Sequence, residues 1–308
     1  WLVSPPGMPE GAFGVFTSGG TAANLSAIVT AREYWRQNKK NRNKKGCLIT
    51  SVGAHSSIKA MAKVIDADLL LVETDDLMTA EALQEKIDSL DKSTMERVFA
   101  VVATGGTTNA GIVDDLEGIA ALCENLNLWF HVDAAYGGGA LAADSVRHLF
   151  KGIEKADSIT IDPHKWLFSP YDCGAIIYKN PELAKTAHSQ EGSYLDIIKD
   201  PGAHGFNPSD YQIQLTRRLR GLPLWYSLAT HGTNKYKWAV ERGIELANLA
   251  GKLISSRVEV ELIRPPSLSC VLFRRIGWSE DDYKNWTYTN HHKGLALVTP
   301  SKWKTKDG

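Results

Sequence analysis

The chain has 308 residues, 43% of them apolar and 23% charged, an ordinary globular composition that can bury a large core and is unlike a disordered or fibrous protein. Its 35 basic and 35 acidic side chains cancel, which argues against the electrostatic footprint of a nucleic-acid or acidic-membrane binder. No run of 18 apolar residues predicts a membrane span, and cysteines at 47, 123, 173 and 270 are too sparse for a disulfide scaffold or a CxxC metal site, so a reducing, cytoplasmic setting is expected.

In chain order, short β-branched runs alternate with longer segments of helical period, the pattern of a mostly parallel sheet wrapped by helices. Strands are predicted at Cys47–Ser51, Asp68–Val72, Arg97–Ala103, Leu128–Asp133, Ser158–Ile161 and Ala175–Tyr178. Helices are predicted at Ala22–Arg36, His55–Val64, Thr79–Ser89, Leu116–Asn125 and Pro181–His188, and the basic run Lys39 to Lys45 reads as a solvated loop. After about Leu222 the texture changes to a long helix near Lys235–Ser255, strands near Val258–Leu262 and Ser269–Arg274, and a helix near Glu280–His292. The expectation is an α/β domain over 1–225 and a smaller α+β domain over 226–308. Leu295-Ala296-Leu297-Val298 reads as a strand whose partners lie beyond Gly308, and with Trp1 at the start it suggests a longer protein lacking both ends.

Several segments carry side chains suited to one chemistry. Lys165 lies in Ile161-Asp162-Pro163-His164-Lys165-Trp166, after a strand end, where flanking His164 and Trp166 are expected to desolvate the amine and favour its nucleophilic form. Alone, a lysine beside a tryptophan is ordinarily a surface residue. Asp133 closes the apolar strand Trp129-Phe130-His131-Val132-Asp133, the edge where open α/β sheets bind ligands; its local reading is a turn cap before Gly137-Gly138-Gly139. Thr17-Ser18-Gly19-Gly20-Thr21 is a small-residue turn opening a helix, suited to a phosphate through backbone N–H groups and the Ser18 and Thr21 hydroxyls. His55 begins a helix after a strand, placing it to stack on a flat ring or to cap locally, and Thr104-Gly105-Gly106-Thr107-Thr108 ends another strand. No GxGxxG, GxxxxGK[ST] or HExxH element occurs, so dinucleotide, P-loop and zinc-protease readings are disfavoured.

An imine-forming lysine, an acid for a pyridine nitrogen, a phosphate turn and a ring-stacking histidine are the protein groups that pyridoxal 5'-phosphate (PLP) requires. With the motifs His131-Val132-Asp133-Ala134-Ala135-Tyr136 and Pro163-His164-Lys165-Trp166, the chain resembles the group II PLP-dependent amino-acid decarboxylases from Gly14 to about Trp225. The resemblance implies the large-domain fold of the fold type I (aspartate aminotransferase) superfamily, with a seven-stranded sheet. It implies that Lys165 forms the Schiff base, Asp133 pairs with the pyridine nitrogen, His55 stacks on the ring and Ala135 packs on its other face. Gly20 and Thr21 match the phosphate turn, Asp162 and His164 lie beside the phosphate and the lysine, Thr108 lies near the cofactor, and Asp114 supports the site. Lys165, His55, Asp133 and His164 are the catalytic candidates, and no metal is implied.

The same resemblance implies an amino-acid substrate, release of CO2 and an amine, and a homodimer whose active site is shared through a mobile loop, here Lys199 to Pro208. Family decarboxylases often carry a tyrosine in that loop as proton donor. None occurs between Lys199 and Pro208, and His204, Phe206 and Tyr211 are the nearest candidates. An aminotransferase, aldehyde synthase or other lyase on the same fold therefore stands as the alternative reaction, and a non-catalytic homologue as the alternative class.

Overall fold

The computed structural model describes residues 1–190 and 207–303. They form two compact units, one made of Trp1–Thr108 and Ile112–Arg242, the other of Asn109–Gly111 and the chain from Gly243 onward.

The first unit is built on a seven-stranded sheet. Its strands are β1 (Phe13–Thr17), β2 (Cys47–Ser51), β3 (Asp68–Val72), β4 (Val98–Thr104), β5 (Trp129–Asp133), β6 (Ser158–Ile161) and β7 (Gly174–Tyr178). The spatial order is β1-β7-β6-β5-β4-β2-β3. Pairing is parallel from β6 across to β3, while β7 runs antiparallel to both β6 and β1. Every residue of β2, β4, β5, β6 and β7 is buried, which explains their near-continuous apolar sequences: helices cover both faces, so neither face needs polar alternation. The edge strand β1 escaped the sequence reading. Gly14 interrupts its apolar run, yet only glycine fits there, because a Cβ would lie 2.0 Å from the carbonyl oxygen of Ile176.

Helices α1 (Gly20–Arg36), α2 (Ser56–Val64), α3 (Ala80–Asp88), α4 (Lys92–Met95), α5 (Leu116–Leu126) and α6 (Pro181–His188) connect the strands. On α1 the small residues Ala23, Ala27 and Ala31 recur every four positions and are fully buried with Ile28, which brings the helix axis close to the sheet. Thr79 caps α3 through Ala82 N–H, and Asp115 caps α5 through Gly118 N–H. Asn127 ends α5 in the left-handed region, φ 53°. The single turn α4, started by Asp91 accepting from Thr94 N–H, was not anticipated.

Helical residues continue through α7 (Gly221–Ser255), interrupted at Gly232, whose φ 73° and ψ 160° leave helical space. In the second unit β8 (Val260–Leu262) and β9 (Phe273–Arg275) form an antiparallel pair. The helix α8 (Glu280–His292) matches its predicted bounds and begins with a capping box, Ser279 and Asp282 each bonding the other's backbone N–H. The strand expected at Leu295–Val298 is absent: that segment is irregular, and no described strand lies beside it to complete a ladder.

Candidate active site

Parallel strands deliver their carboxyl ends to one edge, and the turns after β1, β2, β4, β5 and β6 all contribute to a cleft of about 300 Å³ there. Gly20, Thr21, His55, Thr108, Asp133, Ala135, Asp162, His164 and Lys165 all line it, so residues spread over 146 positions of sequence converge on one site. Asp114 does not line the cleft. Its buried carboxylate accepts the N–H groups of Thr104 and Met78, tying the end of β4 to the segment before α3. Burial pushes its carboxyl up to about 6 against the opposing pull of those two N–H groups, with neighbouring Asp115 adding to the rise.

At the first strand end, the cap of α1 is Gly19, which offers no side chain to the first turn, and that turn contains no acidic residue. The opening N–H groups of a 17-residue helix therefore face the cleft without a side-chain acceptor. A Cβ on Gly20 would sit 2.9 Å from Asp162 Oδ2 and 3.0 Å from the Ala135 methyl, so the absence of a side chain keeps this cradle open.

Asp133 is buried, with Oδ1 accepting Ala135 N–H at 3.1 Å and Oδ2 accepting the Asn24 amide at 2.8 Å. The local turn bond anticipated for it exists, and it coexists with a place in the cleft wall. The same holds for His55: its Nδ1 accepts Ser57 N–H at 3.2 Å, capping α2, while the residue lines the cleft.

Lys165 departs from expectation. Its side chain is 39% exposed and its Nζ lies 3.1 Å from Asp162 Oδ2, so the amine is ion-paired and not desolvated. Trp166 does not cover it, because the indole stacks on Tyr136 with ring centroids 5.1 Å apart. Asp162 is buried, and its second oxygen, Oδ1, has no hydrogen-bond partner among the described residues. His164 Nδ1 accepts Cys173 N–H at 2.9 Å, which leaves Nε2 facing Asp162 at 3.6 Å, and its ring stacks on Tyr171.

Asn24, Ser57 and Tyr136 also line the cleft without having been singled out, and Thr104 does so at the head of the turn from Thr104 to Thr108. Asn24 is the one a sequence could have flagged, as an amide on the alanine-lined buried face of α1, where an apolar residue is the default. Of the three candidate proton donors, Tyr211 is in the core, packed edge-on against Phe13 at 4.7 Å, and does not line the cleft. His204 and Phe206 lie outside the described residues.

The residues fit PLP. An open glycine cradle at a helix N-terminus suits a phosphate, a buried carboxylate with two fixed donors suits a protonated ring nitrogen, and a reachable amine suits an aldehyde.

Comparison with known proteins agrees. The chain is 31% identical to an aromatic-L-amino-acid decarboxylase of Bacillus atrophaeus, over 99% of this chain and 65% of that one. It is 34% identical to an L-2,4-diaminobutyrate decarboxylase of Rhizobium meliloti, over 87% of this chain and 54% of that one. The fold superimposes on the crystal structure of mouse CSAD with a TM-score of 0.81 at 28% identity, covering 97% of this chain and 67% of that one. The chain thus spans between half and two thirds of the length of these two curated relatives. The profile of the pyridoxal-dependent decarboxylase conserved domain matches residues 2–276, and with the fold and the cleft in agreement, the chain belongs to the pyridoxal-dependent decarboxylase family.

Proposed function

We propose that this chain forms most of a PLP-dependent carboxy-lyase that converts an L-amino acid to its amine and CO2. The observation that carries the reading is the meeting of Asp133, at the end of β5, with Lys165, just past the end of β6, in one cleft whose floor is the open Gly20 cradle. When bound, PLP supplies an electron sink for the pair left at Cα as the carboxylate departs.

The chain's own residues do the rest. Gly20 and Thr21 N–H groups and the Thr21 hydroxyl, at the cleft wall, would hold the phosphate. Asp133, fixed by Ala135 N–H and the Asn24 amide, would pair with the ring nitrogen and favour its protonated form. His55, Ala135 and Thr108, which line the cleft, would confine the ring. Lys165 Nζ, reachable in the cleft beside Asp162, would hold the cofactor's aldehyde group. Asp162, 3.1 Å from Lys165 Nζ, and His164, whose Nε2 lies 3.6 Å from Asp162, would flank the phosphate and the amine, placed to exchange a proton with Nζ.

The sparse, widely spaced cysteines, four in 308 residues, support residence in a reducing cytoplasm, and the family resemblance supports a homodimer that shares the cleft between subunits. Sedimentation of the purified protein with and without PLP tests the dimer.

The deciding experiment incubates the complete protein with PLP and a panel of aromatic, acidic and basic amino acids, quantifying CO2 and amine together. Equal amounts of both, lost in Lys165→Ala along with the borohydride-trapped lysine adduct, are expected. An aldehyde or keto acid in place of the amine would make the protein an aldehyde synthase or aminotransferase instead, and turnover retained by Lys165→Ala would remove the lysine from its role.

A further inference from the structure

Asp133 is the last member of a buried chain of hydrogen bonds. Trp129 Nε1 donates to Ser158 Oγ at 2.8 Å, Ser158 Oγ lies 2.9 Å from His131 Nδ1, His131 Nε2 lies 3.0 Å from Asn24 Oδ1, and Asn24 Nδ2 donates to Asp133 Oδ2 at 2.8 Å. Trp129, Ser158, His131 and Asn24 are each at most 4% exposed, so water does not interrupt the series.

Chemistry forces the direction of every bond. An indole only donates and an ionised carboxylate only accepts. The Asn24 amide must therefore aim its NH2 at Asp133 and its carbonyl at His131, which puts the hydrogen of His131 on Nε2. Nδ1 is then an acceptor for the Ser158 hydroxyl, whose own lone pair takes the indole N–H. The opposite tautomer would satisfy the Ser158 carbonyl, 3.1 Å from Nδ1, but would set Nε2 and Asn24 Oδ1 lone pair to lone pair. A doubly protonated ring would satisfy both ends, but complete burial holds the imidazole down to about 4 although Asp133 pulls the other way. All four donors thus point toward Asp133, and bonds aligned in this way polarise one another.

We infer that Asn24 and His131 are positioning residues, a relay that presents Asp133 to the cofactor's ring nitrogen as an acceptor-only carboxylate, so that the proton between them rests on the ring. The inference depends on the PLP reading of the cleft. Cutting the relay leaves Asp133 short of a donor, and the shared proton moves from the ring toward the carboxylate.

The test loads the complete protein with PLP labelled with 15N at the ring nitrogen. Wild type, Asn24→Leu, His131→Phe and His131→Gln are compared by 15N chemical shift and by PLP dissociation constant, with circular dichroism verifying the fold. Wild type and His131→Gln, which keeps a donor at about the reach of Nε2, should show a protonated ring nitrogen. Asn24→Leu and His131→Phe should shift it toward the neutral form and weaken PLP binding by about tenfold. A wild-type shift and affinity in both variants would overturn the relay while leaving the cofactor assignment standing, whereas a wild-type protein that takes up no PLP would overturn the cofactor reading and the relay with it. Should the variants fail to fold, the histidine ring 15N spectrum of the unloaded wild type decides: His131 carrying its proton on Nε2 supports the relay, and a proton on Nδ1 refutes it.

Discussion

His131 and Asp114 are both buried and make opposite demands on pH, so their separate removal should tilt the stability profile in opposite senses. Burial lowers His131 from its ordinary 6.5 to about 4. The folded chain therefore keeps this ring neutral while the unfolded chain protonates it, and the associated stability is full above pH 6.5 and lost as pH falls toward 4. At ~1.4 kcal/mol per pH unit, this amounts to about 3 kcal/mol. Asp114 is raised from 3.8 to about 6, so its stability is full below pH 3.8 and lost as pH rises through 6, again by about 3 kcal/mol. In wild type the two effects nearly cancel between pH 4 and 6.

Urea unfolding of the unloaded protein from pH 4 to 7 separates them. Relative to wild type, His131→Gln should lose about 3 kcal/mol on going up this range, and Asp114→Asn should gain about as much. Constant offsets from altered hydrogen bonds do not enter, because only the pH slope of each difference is read. Buried His188, lowered by desolvation, and Asp157, raised by it, are common to all three proteins and drop out. Difference curves flat to within about 1 kcal/mol for both variants would refute the reasoning.

Three further substitutions probe the scaffold. Gly20→Val fills the cradle against Asp162 and Ala135 and should weaken PLP binding at least tenfold in an absorbance titration, with the far-ultraviolet spectrum unchanged; wild-type affinity would mean the phosphate sits elsewhere. Gly137→Ala places a Cβ 1.9 Å from the Gly105 carbonyl oxygen, a backbone clash between two of the site's strand-end turns. It should cost about 3 kcal/mol or more, seen as a lowered urea midpoint. Asp115→Ala removes the cap of α5 and should cost about 1 kcal/mol, lowering Tm by roughly 2–4 °C; an unchanged Tm would show that the Gly118 N–H finds another acceptor.

What the sequence revealed of this molecule follows the range of the interactions concerned. The interior strands were legible because burial on both faces makes each a largely apolar run, as from Val98 to Ala103, and a helix such as α8 was legible because its signals are local. Edge strand β1 was not, since its pairing with β7 links residues more than 150 positions apart and its glycine is explained by a carbonyl of the partner strand. Strand-end residue types pointed to side chains that do meet in one cleft, because parallel topology gathers strand ends whatever lies between them.

Lys165 shows where such reading stops. Its sequence neighbours His164 and Trp166 suggested a desolvated amine, but a tight turn, with Lys165 N–H bonded to the Asp162 carbonyl, brings the Asp162 carboxylate against Nζ and sends the indole to Tyr136. The relay behind Asp133 is hidden more deeply still. His131 meets Ser158 only through the β5–β6 register, and it meets Asn24 only because α1 crosses these strands on alanines small enough to let an amide reach the sheet. A histidine inside an apolar strand and an asparagine on a buried helix face are each a local defect of pattern. Two such defects become one device when each supplies the hydrogen-bond partner that the other's burial demands, and unexplained polar residues at buried positions are therefore where a strand-and-helix reading of this sheet should look for what holds Asp133.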